Sequence, residues 1–104
     1  MARFDVYRNS SKASREDFPY LLDVQADLFV DLGSRVVVPL MRRAAVRVPM
    51  TRLNPLFTVE GKPVVMATTD IAAVPVGVLG PKVESLAAQA SVILGAIDFL
   101  LTGA

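Results

Sequence analysis

At Gly80-Pro81 the hydrophobic period of this chain changes, and that change decides what it can fold into. Downstream, Val83, Leu86, Ala90, Ile93, Ile97 and Leu100 follow at steps of 3, 4, 3, 4 and 3, an apolar stripe along one side of a helix. Pro81 lies near the first helical position, and Glu84 falls in the first turn, where the helix dipole favours an acid. Gly103 supplies the stop, because glycine accepts the left-handed backbone at a helix end. The spacing predicts one helix over about residues 83–101. Ala87, Leu94 and Leu101 widen its apolar face, while Ala87, Ser91 and Gly95 form a run of small residues that lets another backbone approach. After Glu84 its only charge is Asp98, sparse for a helix bathed in water. Its far side is expected either to pack on the chain's own sheet or to meet another protein.

Upstream the signals are those of short strands. Phe4-Asp5-Val6-Tyr7 alternates as a half-buried strand does, and Asn9-Ser10-Ser11-Lys12-Ala13-Ser14 reads as a loop too hydrophilic to bury. Residues 20–25 form a second strand, and Val36-Val37-Val38 a third that Pro39 ends or kinks, since proline removes a ladder donor. Pro39, Pro49 and Pro55 limit any helix between residues 42 and 55, which is expected to be an irregular excursion with short strands. Leu56-Phe57-Thr58-Val59 and Pro63-Val64-Val65-Met66-Ala67 make a hairpin about Glu60-Gly61-Lys62, and residues 71–76 a last strand.

Composition adds the exclusions. The length of 104 residues fits one domain spanning residues 1–104. A domain this small buries only about 60–65% of the surface its unfolded chain exposes. With 53% hydrophobic residues and a mean hydropathy of +0.48, the chain carries more apolar material than one core conceals, and an oligomer interface is the simplest outlet. Absence of Cys and His removes disulfides, thiol nucleophiles, zinc–thiolate and imidazole ligands and an imidazole base, so most hydrolase and metalloenzyme schemes are excluded and no metal or cofactor is expected. The net charge of +1 gives no global pull toward nucleic acid or an anionic membrane. The N-terminal residues lack the apolar core of a secretory signal, and Asp98 interrupts the apolar stretch at 86–104 at a cost of about 2.5–3.5 kcal/mol for spanning a bilayer. A cytoplasmic protein is expected.

The charges are segregated. Residues 16–31 hold Glu16, Asp17, Asp23, Asp27 and Asp31 with no base, and residues 32–59 hold Arg35, Arg42, Arg43, Arg47 and Arg52 with no acid. The blocks either neutralise each other across adjacent strands and face water, or form a recognition surface. The six glycines are too dispersed for a phosphate loop. Asp23, Asp27 and Asp31 would align on a helix, but residues 20–25 are strand-like, which argues against a carboxylate metal site. Thr68-Thr69-Asp70 lacks a visible base and reads as a turn bonding its own backbone. The seven aromatics are too scattered for a base-stacking platform.

Leu22-Asp23-Val24-Gln25-Ala26-Asp27, then Gly33-Ser34-Arg35-Val36-Val37-Val38-Pro39-Leu40, then the run Met66-Ala67-Thr68-Thr69-Asp70-Ile71-Ala72-Ala73-Val74-Pro75-Val76-Gly77-Val78-Leu79-Gly80, together resemble the CcdB family of plasmid and chromosomal toxins. The resemblance implies a mainly β fold with a C-terminal helix: an SH3-like barrel of antiparallel strands, shared with the MazF/Kid ribonuclease toxins, assembled as a homodimer. It implies a toxin–antitoxin toxin that binds the A subunit of DNA gyrase and traps it on cleaved DNA, neutralised by a CcdA-like antitoxin. By the same resemblance Leu28, Phe29, Asp98, Thr102, Gly103 and Ala104 occupy gyrase-binding positions, and Asp23 and Arg35 antitoxin-binding positions, with an internal ion pair as the alternative for the last two. Family members that poison gyrase end in Trp-Gly-Ile; this chain ends Thr102-Gly103-Ala104. That departure keeps open a protein of this fold that binds only its antitoxin or another target, and, from a different class, a MazF-like endoribonuclease using Arg with Thr or Asp.

Overall fold

The structure, a computed structural model, describes residues 1–29 and 32–103. Seven strands, β1 (Asp5–Asn9), β2 (Tyr20–Asp23), β3 (Ser34–Arg42), β4 (Leu56–Val59), β5 (Lys62–Met66), β6 (Ala72–Pro75) and β7 (Leu79–Ser85), precede one helix, α1 (Ala90–Thr102). All pairings are antiparallel in the order β4-β5-β3-β2-β1-β7, and β6 also pairs with β3. The result is the expected mainly antiparallel β architecture, a half-barrel with a single C-terminal helix.

Strand alternation sorts the side chains. Val6, Tyr20, Leu22, Val38, Leu40, Val64 and Met66 line one face and join Phe57, Val59, Leu86 and, from α1, Ile93 and Ala96 in one buried cluster. The helix thus covers the apolar face of the sheet, the burial that stabilises a chain of this size.

Three expectations are corrected. Pro39 does not end its strand: β3 runs through it for nine residues. The backbone O of Pro39 accepts from Ala67 N at 2.9 Å, and a strand residue directs N–H and C=O to the same side. The missing donor therefore falls where β5 has ended and β6 has not begun, so no ladder bond is lost. Second, the helix begins at Ala90, after a 3-10 turn at Ala87–Gln89, not near residue 83. Gly80, Pro81, Val83 and Glu84 belong to β7, an edge strand on β1 whose register slips between Tyr7↔Lys82 and Asn9↔Leu79. Gly80-Pro81 is thus an irregularity at a sheet edge, where proline is tolerated. Third, Asn9 is buried in β1, because its side-chain amide donates to Ser14 Oγ and Phe18 O, both at 2.9 Å.

Smaller differences follow the same logic. The second strand stops at Asp23, and the excursion at 43–55 holds a 3-10 turn at Arg43–Ala45 and no strand. The hairpin β4–β5 is as expected, with Glu60 and Gly61 as its two loop residues, both at positive φ (52° and 75°). Those angles are those of a type I′ turn, the form that matches strand twist.

Candidate interaction site

Leu28 and Phe29 sit in a 3-10 turn at Asp27–Phe29 that follows β2. The turn is tied on both sides. Asp27 Oδ1 accepts from Arg3 N at 2.7 Å, Phe29 N donates to Ala26 O at 3.1 Å, and the Gln25 side chain donates to Phe29 O while its Oε1 accepts from Val36 N at 3.0 Å. On this anchored backbone the apolar side chains point outward, Leu28 being 83% and Phe29 50% exposed. A loop carried on a sheet scaffold and displaying hydrophobic groups is a usual form of an interaction surface.

The second set lies at the end of α1. Asp98, Thr102 and Gly103 are all exposed, Thr102 Oγ1 donates to Asp98 O at 2.8 Å, and Gly103 N closes the helix onto Phe99 O at 2.8 Å with φ 73°. Ala104 and Asp31 lie outside the described residues. The small-residue run is not packed on the sheet: Ala87, Ser91 and Gly95 are exposed, and a Cβ at Gly95 would meet nothing within 4 Å. With Val92 and Leu101 exposed as well, the outer face of α1 is apolar and uncovered.

Asp23 and Arg35 are brought together, but inward. Arg35 Nε and Nη2 donate to Asp23 Oδ2 at 3.0 and 2.5 Å, and both side chains have no exposed surface. Asp23 Oδ1 accepts from Gln25 N at 3.1 Å, and Arg35 Nη1 has no partner among the described residues. Burial pushes the Asp23 carboxyl above its ordinary value, and the bond and charge of Arg35 oppose that rise. Both side chains are buried in this protomer, and the pair links β2 to β3 as the internal ion pair that the sequence left as one reading. Close by, Tyr7 donates toward Asp5 Oδ2 at 3.4 Å, and burial first, then the Asp5 and Asp23 charges, push its hydroxyl up to about 12.

A further polar constellation was not singled out from the sequence. Glu60, in the β4–β5 turn, accepts from Arg8 Nη2 and from the Tyr20 hydroxyl, both at 2.7 Å, while its N–H donates to Glu84 Oε1 at 2.7 Å. One residue thereby clasps β1, β2 and β7 across the open side of the half-barrel. The signal for it in the sequence is a glutamate at a turn position that asparagine or glycine normally takes.

Among the described residues no group of three Asp, Glu, His or Cys is placed to hold a metal ion, and no helix is long and apolar enough to cross a membrane. Thr68–Asp70 is a 3-10 turn closed by backbone bonds, but the buried Thr68 hydroxyl donates to Leu53 O and not within the turn as expected. Taken together, fold and surfaces define an antiparallel β half-barrel that presents apolar groups from a tied loop and from the outer face and tip of its one helix. Residues 3–103 match the model of the CcdB protein family, essentially the whole chain, and the protein belongs to that family. The family is one of toxin–antitoxin toxins directed at gyrase.

Proposed function

We propose that this protein is the toxin of a toxin–antitoxin pair, acting as a homodimer that binds the gyrase A subunit, traps the cleaved DNA complex and is released by a CcdA-like antitoxin. It works by binding and not by catalysis. The observation that carries the reading is the family match over residues 3–103. The outward Leu28–Phe29 pair and the exposed tip of α1 support it, because both sets of target-facing positions are available on the surface. The uncovered apolar face of α1 and the excess of hydrophobic residues support the homodimer, and a gyrase target places the protein in the cytoplasm.

Thr102 in place of the family tryptophan favours a second reading: a protein of this fold that binds its antitoxin or another target and no longer poisons gyrase. A tryptophan side chain can bury about 150–250 Å² and often anchors an interface, which threonine cannot replace. One assay decides. Purified protein is incubated with gyrase and supercoiled DNA beside a labelled RNA. Linear DNA with intact RNA is the expected result. Toxicity in cells with neither substrate cut gives the second reading, and RNA cut without gyrase gives a MazF-like endoribonuclease.

A further inference from the structure

Phe4 stands in a conformation that its residue type rarely adopts. Its φ is 72°, in the left-handed region that a bulky side chain disfavours. Asp5 N donates to Ala2 O at 3.1 Å, so Arg3 and Phe4 are the central residues of a β-turn leading into β1, and Phe4 takes the place where positive φ normally calls for glycine or asparagine. Such a backbone persists only where its surroundings over-determine it, and it collects at positions that set the geometry of a site.

The surroundings here hold Phe4 from two sides. An extended residue directs its N–H and C=O to the same neighbouring strand. Phe4 divides them between the two neighbours of β1: its N–H donates to Asp23 O at 2.6 Å, at the end of β2, and its C=O accepts from Leu86 N at 2.8 Å, between β7 and the 3-10 turn that opens into α1. The positive φ is what lets one residue serve both. Its ring is only 8% exposed, in the cluster that also holds Ile93 and Ala96 of α1, with the Arg3 guanidinium 5.1 Å from the ring centre. From the preceding residue, Arg3 N donates to Asp27 Oδ1 at 2.7 Å and Arg3 Nε to Val24 O at 3.1 Å. Two consecutive residues therefore grip residues 23–27, which lead into Leu28 and Phe29, and at the same time the segment that enters α1.

We propose that Arg3 and Phe4 are positioning residues, a brace that holds the Leu28–Phe29 turn and the entry to α1 as one rigid unit on which target binding depends. The proposal rests on the reading that one target meets both the turn and the tip of α1. Phe4, being buried, acts through the groups it holds and not by touching that target.

Asp27 opens the brace to experiment without disturbing the core, because it is exposed. Asp27→Ala removes the acceptor of Arg3 N, and Asp27→Asn keeps an oxygen in its place. Amide hydrogen exchange of the protein alone is read at Phe29, in the turn, and at Leu86, on the far side of Phe4; affinity for gyrase A is read by surface plasmon resonance. In Asp27→Ala both amides should exchange faster and the affinity should fall, each on the order of tenfold, while Asp27→Asn stays close to the parent in both. Faster exchange at Phe29 alone, or at neither amide, shows a local tie and overturns the brace. Faster exchange at both with affinity unchanged overturns the dependence of binding on it. Exchange restored in Asp27→Asn but affinity still lost makes Asp27 a direct contact through its charge, which overturns the positioning role. A parent that does not bind gyrase A counts against the proposed function, and the exchange result alone then decides the brace.

Discussion

At the scale of single residues, the segregation of charge proves to have an interior meaning. Asp23 and Arg35 come one from each block, and both are fully buried. Removing one partner of such a pair leaves an uncompensated charge, whereas replacing both by apolar groups of similar volume is often neutral. Arg35→Met is therefore expected to cost about 3–5 kcal/mol in urea unfolding, and Asp23→Leu combined with Arg35→Met to recover most of it. The ion pair was legible as one of two readings of Asp23 and Arg35; that it lies wholly inside was not, because it depends on the tertiary register that sets Val37 opposite Asp23 and Arg35 two residues away. Tyr7 gives a second prediction. Its hydroxyl titrates near 12 in the fold against 10.0 in the unfolded chain, so the fold favours the neutral form. Stability is then full below pH 10.0, falls as pH rises from there toward about 12, and levels beyond. Chemical unfolding across that range should show the fall, and Tyr7→Phe should reduce its slope.

Among the elements, the helix was legible in kind and mistaken in extent. Ile93, Ile97 and Leu100 lie on the inner side of α1 as their spacing required, yet Val83 and Leu86 continue the rhythm from a strand and a turn. A stripe of threes and fours cannot mark where a strand hands over to a helix when the strand is irregular and half-buried. The need of β1 for a second neighbour decided the matter, and that is a property of the sheet. Gly80 and Gly95 separate the two environments by experiment. A Cβ at Gly80 would stand 2.8 Å from the Arg8 backbone O, so Gly80→Ala must displace the β1–β7 edge and is expected to lose about 1–3 kcal/mol. At Gly95 a Cβ meets nothing within 4 Å, in the middle of a helix, and Gly95→Ala should gain roughly 0.5–1 kcal/mol. Thermal melts of the two variants at equal concentration show whether their shifts are opposite in sign.

For the molecule as a whole, ordered fragments of sequence carried the family while no fragment alone carried the fold, and the same division governs function. The half-barrel goes with the family match over residues 3–103, while the resemblance in sequence departs at the helix tip, where Thr102 stands on an exposed last turn. Because Thr102 contributes no core packing, Thr102→Trp should leave the melting temperature almost unchanged and act only on binding. If the remaining target-facing residues keep their geometry, the new side chain adds an interface anchor of about 2 kcal/mol or more, roughly thirtyfold in affinity for the gyrase A subunit. Surface plasmon resonance on immobilised gyrase A reads that gain, and the yield of linear DNA should rise with it. Unchanged affinity with unchanged stability would mean that Leu28, Phe29 and the tip of α1 do not form a gyrase surface. The apolar face of that helix would then have to be explained by the second copy of the chain alone.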